Sequence, residues 1–148
     1  MHRKIIPDIV QRLDIASVKV DDTVFECAKV MADAHISALV VLDGDGILIG
    51  IITERDLTQR ILAAGLDGKT TKVGDVMTAN PDILGPEDSA MDALELMQNR
   101  GYRHLPVVEN GKCVSIVSSR DLYASIKEAL EQDIRETEAF VFGDRYST

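Results

Sequence analysis

The sequence predicts an α+β fold in which two β-α-β-β-α repeats pack sheet to sheet about a pseudo-two-fold axis. Three observations carry this expectation. The segment Thr23-Val24-Phe25-Glu26-Cys27-Ala28-Lys29-Val30-Met31 returns 66 positions later as Ser89-Ala90-Met91-Asp92-Ala93-Leu94-Glu95-Leu96-Met97. Each copy is followed by two short apolar runs joined by a glycine-bearing turn, the signature of a buried hairpin. The chain has 148 residues, 45% hydrophobic and 28% charged. That is enough to bury roughly two-thirds of its unfolded surface without a disulfide or a metal.

Each element has a local cause. Thr23 with Glu26 and Ser89 with Asp92 pair a hydroxyl with an acid three positions later, the spacing of a helix capping box. Val24, Cys27, Ala28 and Met31 then mark an apolar helical face, and Ala90, Ala93, Leu94 and Met97 repeat it. Ile36 to Leu42 and Tyr102 to Val108 have the composition of buried strands. Asp43-Gly44-Asp45-Gly46 and Asn110-Gly111 supply the turns, and their unequal length accounts for most of the drift in offset from 66 to 65. The second strands, Ile47 to Ile52 and Cys113 to Val117, lead into Thr53-Glu54-Arg55-Asp56 and Ser118-Ser119-Arg120-Asp121. Helices are expected from Glu54 to Ala64 and from Ser119 past Leu130. The resulting division is a first repeat over 10–66, a linker leading into the second repeat over 67–78, a second repeat over 79–130, and a C-terminal helical extension and tail over 131–148. Phe140, Val141 and Phe142 form a small apolar hook in that tail, placed to dock on its own core or on another chain.

Charge narrows the function. The net charge of −9 repels nucleic-acid backbones and anionic membranes, and six aromatic residues are too few for a base-stacking platform. A local basic pocket for a small anion remains compatible with that surface. Two cysteines, Cys27 and Cys113, and three histidines make no metal-ligand pattern, and fit reduced thiols in a cytoplasmic protein. Pro7 and Asp8 interrupt the only apolar start, so no secretory signal is expected, and no run approaches the length of a membrane span. His2 and His35 lack sequence partners, while Met31, Met77, Met91 and Met97 fit core or helix-face positions.

Gly50-Ile51-Ile52-Thr53-Glu54-Arg55-Asp56, Ser115-Ile116-Val117-Ser118-Ser119-Arg120-Asp121, Gly74-Asp75-Val76-Met77-Thr78 and His104-Leu105-Pro106-Val107-Val108 together resemble the cystathionine β-synthase (CBS) domain. The resemblance is to a tandem pair spanning about Val10 to Leu130. It rests on the order, spacing and duplication of these motifs, none of which is specific alone. It implies clefts between the repeats that bind an adenosine-containing molecule: AMP, or alternatively ATP, NAD or S-adenosylmethionine. It also implies self-association as a homodimer and, because the pair occupies most of the chain, an output passed to a separate effector protein.

Under this resemblance Thr53, Asp56, Ser118 and Asp121 contact the ligand ribose. A carboxylate offers two acceptor oxygens to the 2′ and 3′ hydroxyls, and a helix start offers unpaired N–H groups to a phosphate. The same S/T-x-x-D spacing also caps a helix with no ligand present. The local pattern fits capping, and its paired recurrence after a strand in this framework favours ligand contact. Arg103 and His104, with Arg120 and Arg55, are the expected phosphate partners, Arg through its planar fork of donors and His through a charge gained near neutrality. Similar proteins often carry His and Arg in the opposite order here, which puts the division of labour in question. Ser37 and Ala38 stand at the matching places of the first repeat and carry no charge. The Ser118–Asp121 cleft is therefore expected to bind a phosphate-bearing ligand better than the Thr53–Asp56 cleft.

The expected function is a regulatory, energy-sensing nucleotide-binding module, not an enzyme, with no catalytic residue, metal or catalytic cofactor. A constitutive protein-interaction module with vacant clefts is the alternative, distinguished by partner binding indifferent to nucleotide. A nucleotide-processing enzyme is a third class. Against it, the sequence has no Walker A loop, no GxGxxG after a first strand, no nucleophile elbow and no metal-ligand cluster.

Overall fold

The computed structural model describes residues 2–146. Six strands and five helices follow in the order β1 (Ser17–Val18), α1 (Val24–Ala34), β2 (Ala38–Leu42), β3 (Leu48–Thr53), α2 (Glu54–Asp56), α3 (Val73–Val76), β4 (Thr78–Ala79), α4 (Ala90–Arg100), β5 (His104–Glu109), β6 (Lys112–Ser118) and α5 (Ser119–Tyr146). The caps form as their residue types dictate. Thr23 and Glu26 make a reciprocal box at the start of α1, and Ser89 accepts from the Asp92 N–H at the start of α4. His35 and Gly101 end the same two helices in the left-handed conformation.

Each repeat has its own sheet and its own core. In the first, the order is β1-β2-β3-β4, with β1 parallel to β2 and the other pairs antiparallel. Val18, Val24, Cys27, Met31, Leu39, Val41 and Ile52 close beneath it. In the second, β5 and β6 form an antiparallel hairpin, with Leu105, Val107, Val117 and Leu122 at the centre of its core. The duplication persists in detail: both sheets carry an irregularity at the matching places Val41/Leu42 and Val107/Val108. The leading strand of the second repeat shrinks to a single parallel bridge, Leu84 to Val107, where the first repeat pairs Val18 with Val41.

The two halves complete each other crosswise. Residues after the first repeat fold back onto it: Lys72 bridges Thr23, the Val73 N–H donates to the Asp22 carbonyl at 2.8 Å, and β4 pairs with β3. The N-terminal segment does the same for the second repeat. Lys4 bridges Ser89, and the Ile5 N–H donates to the Asp88 carbonyl at 2.8 Å. Further along, the Leu13 N–H donates to the Val114 carbonyl on the free edge of β6 at 3.0 Å. Val73 and Val76 are buried in the first core, Ile5 and Ile6 in the second. Gly50 permits the first of these closures, since a side chain there would collide with Met77 and the Thr78 carbonyl.

Two expectations need correction. The helix expected from Glu54 to Ala64 is regular only over α2; Leu57–Leu62 continues in wider turns, with the Ala63 N–H donating to the Thr58 carbonyl at 2.9 Å. The apolar hook in the tail is instead part of α5, which runs unbroken to Tyr146. No proline interrupts that stretch, and the first glycine after Gly111 is Gly143, so nothing local stops the helix earlier. Ala129 is the last of its described side chains to be buried, and residues 131–143 are exposed.

Crosswise completion makes a terminal residue behave as core. Ile5 has 0% exposure. Ile5→Ala should therefore cost about 2–5 kcal/mol, the range of a buried Ile-to-Ala truncation. Urea unfolding monitored by circular dichroism measures it. A loss under about 0.5 kcal/mol, as at an exposed position, would show that the segment is only laid on the surface.

Candidate functional site

Both S/T-x-x-D motifs lie where a central strand turns into a helix, and both face one cleft between the repeats. That cleft has a volume of about 1440 Å³; Ala38 and Ile51 line it from the first repeat, and Leu105 and Ile116 from the second. Thr53, Asp56, Ser118 and Asp121 all line it, together with Arg55, Arg103, His104 and Arg120. The volume exceeds the roughly 300–1,000 Å³ of an ordinary small-molecule pocket and extends over both motifs.

The motifs cap their helices in the same way. The Asp56 N–H donates to Thr53 Oγ1 at 3.4 Å and the Thr53 N–H to Asp56 Oδ2 at 2.9 Å. The Asp121 N–H donates to Ser118 Oγ at 3.1 Å and the Ser118 N–H to Asp121 Oδ2 at 2.9 Å. Each carboxylate thus spends one oxygen on its cap and keeps the other. In the first repeat that other oxygen, Asp56 Oδ1, lies 3.6 Å from Arg60 Nε. Among the described residues no hydrogen bond or ion pair reaches Asp121 Oδ1. Arg60 was not among the residues singled out from sequence. Its i,i+4 spacing from Asp56 was the available signal.

The phosphate candidates differ in how free they are. Arg103 and Arg120 are exposed at the Ser118–Asp121 end of the cleft. Arg55 is engaged across the cleft, donating to the Gly101 carbonyl at the end of α4 at 3.0 Å. His104 is half-buried at the start of β5, with Nε2 2.9 Å from Ser37 Oγ of the first repeat. Burial holds its pKa below the ordinary imidazole value, aided by Arg103, while Asp121 and Glu54 pull the other way. His104 is therefore a neutral hydrogen-bonding link between repeats at neutral pH. An adjacent phosphate would favour its charged form.

Among the described residues no group of three or more His, Cys, Asp or Glu is placed to hold an ion. Burial pushes the Cys27 thiol up to about 11, so it is a protonated core residue and not a nucleophile. Cys113 is also free, and its thiol is raised by burial too.

The lowered pKa of His104 fixes a sign. The unfolded chain binds the proton more readily, so the stabilising contribution of neutral His104 is present above about pH 6.5 and fades as pH falls below it. An NMR titration should place His104 below the ordinary value. His104→Gln should flatten the stability profile below about pH 6.5 relative to wild type. An unchanged slope would assign the acid sensitivity to other groups.

Comparison with known proteins agrees with this architecture. The CBS domain family model matches residues 6–63 and 73–128. A curated relative, the mitochondrial CBS domain-containing protein CBSX3 of Arabidopsis thaliana, is 33% identical over 127 residues, covering 83% of this chain and 62% of its own length. The CBS domain-containing protein CBSCBSPB2 of the same plant is 37% identical over 114 residues, covering 74% of this chain and 21% of its own. The chain thus spans less than two-thirds of these relatives. A signal-transduction protein with CBS domains from Burkholderia ambifaria superposes with a TM-score of 0.73 at 36% identity, covering 76% of this chain and 82% of that one. The CBS domain pair of protein MJ0100, solved with 5′-methylthioadenosine and S-adenosyl-L-methionine, superposes at 0.77 with 23% identity, covering 87% and 99%, a likeness of fold. With both repeats matched and their sheets facing across a common cleft, the chain belongs to the CBS domain family as a tandem pair.

Proposed function

We propose that the chain is a regulatory, non-catalytic module that binds an adenosine-containing nucleotide, AMP above all, and passes its occupancy to a separate effector protein. The observation that carries this reading is Asp121: a carboxylate at a helix start, lining the cleft, with one oxygen committed to the cap and the other in no hydrogen bond or ion pair among the described residues. That oxygen suits a ribose hydroxyl, and Ser118 lies alongside. Arg103 and Arg120 supply donors for phosphate. The adenosine-type ligands of the MJ0100 pair support the ligand class. ATP, NAD and S-adenosylmethionine share the adenosine and are the competing ligands.

Signalling follows from differential affinity. A nucleotide contacting both repeats favours the arrangement in which those contacts form together, and the effector meets that arrangement. The Ser37–His104 and Arg55–Gly101 links span the repeats and support a joint response. A homodimer belongs to the same proposal, supported by the exposed Leu130, Ile134, Phe140 and Val141 along α5. The free thiols support a reducing compartment such as the cytoplasm.

One observation favours a second reading, a constitutive interaction module: both carboxylates serve caps that close entirely within the chain. A thermal-shift panel of dialysed protein with AMP, ADP, ATP, NAD and S-adenosylmethionine separates the two. At ~100 times the dissociation constant a ligand adds about 2.7 kcal/mol, or roughly 5–10 °C for this size. The ligand-induced shift should appear with AMP, vanish in Asp121→Ala and survive in Asp56→Ala. No shift with any nucleotide, in protein shown free of co-purified ligand, selects the constitutive module. Sedimentation velocity should show a dimer; a monomer at tens of micromolar would remove that element.

A further inference from the structure

We propose that Arg60 is a built-in occupant of the Thr53–Asp56 end of the cleft, and that it limits the protein to one nucleotide per chain. The inference rests on the ribose reading of the two carboxylates and goes beyond it by assigning a stoichiometry and its cause.

Both oxygens of Asp56 already face a protein group. Oδ2 takes the Thr53 N–H at 2.9 Å and the Thr53 hydroxyl at 3.2 Å, while Oδ1 faces Arg60 Nε at 3.6 Å. The side chain is only 12% exposed, so this pairing lies largely out of solvent on the acidic side. Arg60 is fastened at its other end as well, where Nη1 donates to the Val76 carbonyl at 2.8 Å and the Met77 carbonyl at 3.3 Å. One guanidinium therefore ties the ribose carboxylate to the returning segment that completes the first repeat. A ribose at Asp56 Oδ1 competes with Arg60, and displacing Arg60 leaves a charge and two carbonyls to find new partners.

The second repeat lacks this device. Ser125 stands at the place of Arg60, 65 positions on; it is buried and accepts from Arg3 Nη1 at 2.9 Å. A serine carries no charge to set against Asp121, whose second oxygen enters no hydrogen bond or ion pair among the described residues. The two ends are thus unequal because of an internal cation at one of them, and not only because Arg103 and His104 enrich the other. The difference is built into a single position of the duplicated pattern.

Isothermal titration with AMP tests this. Wild type should bind one AMP per chain. Arg60→Ser, which installs the residue of the second repeat, should bind two; Arg60→Gln serves if the serine variant does not fold. Two sites in wild type, or one site retained in both variants, would overturn the lock. Absence of AMP binding in wild type would refute AMP as the ligand instead. The lock then still stands or falls on a ligand-free cycle of Asp56→Asn, Arg60→Ser and the double variant. Thermal midpoints in which the double variant loses clearly less than the sum of the singles support it. Additive losses overturn it.

Discussion

The constraint on which everything else depends is the crosswise return of the chain. Neither repeat owns all the residues that fill its core: Val73 and Val76 arrive from beyond the first, and Ile5 and Ile6 precede both. A unit of some 55 residues buries too little surface to be secure alone. Exchange of short segments relieves this and ties the halves into one cooperative body. It also fixes their relation in space, because Lys72 at Thr23 and Lys4 at Ser89 are equivalent anchors on opposite sides of the pseudo-two-fold axis. The cleft exists where it does because both sheets are held face to face by these returns.

Within that frame the two sites are variations on one local solution. A strand ends, a hydroxyl residue caps the next helix, and an aspartate three positions later closes the cap. Capping consumes one carboxylate oxygen and so orients the carboxylate, leaving the second oxygen available for other duties. Repeat duplication copies the geometry but not the surroundings. Arg60 answers Asp56, while Ser125 at the corresponding place turns to Arg3. His104 reaches Ser37 through a bond that the mirrored position Ala38 cannot make. The chemical asymmetry of the two motifs thus arises from a few side chains around a backbone that stays nearly symmetric.

Much of this was legible in the sequence where its cause is local. The duplication, the capping residues, the turn lengths and the apolar helix faces all depend on neighbours within a few positions. The four motif residues Thr53, Asp56, Ser118 and Asp121 do lie on one cleft. What could not be seen was long-range. Ile5-Ile6-Pro7-Asp8-Ile9 has no periodicity to announce a core segment, and its partner strand bridge at Ser89 lies 85 positions from Lys4. The link from Ser37 to His104 likewise needs both sheets in place. Arg60 had a visible spacing from Asp56, but its weight comes from burial of the aspartate, which a sequence does not display.

The helix α5 begins at Ser119, two residues before Asp121, and continues for 28 residues. At 1.5 Å per residue it is a rod of about 42 Å. Buried Leu122, Ser125 and Ala129 clamp its first three turns to the second repeat, so the rod turns only as that repeat turns. A rotation of about 5° would carry its far end through roughly 4 Å, several times the displacement at the cleft. The geometry is that of a pointer on a dial: a small turn of the body becomes a much larger displacement at the tip.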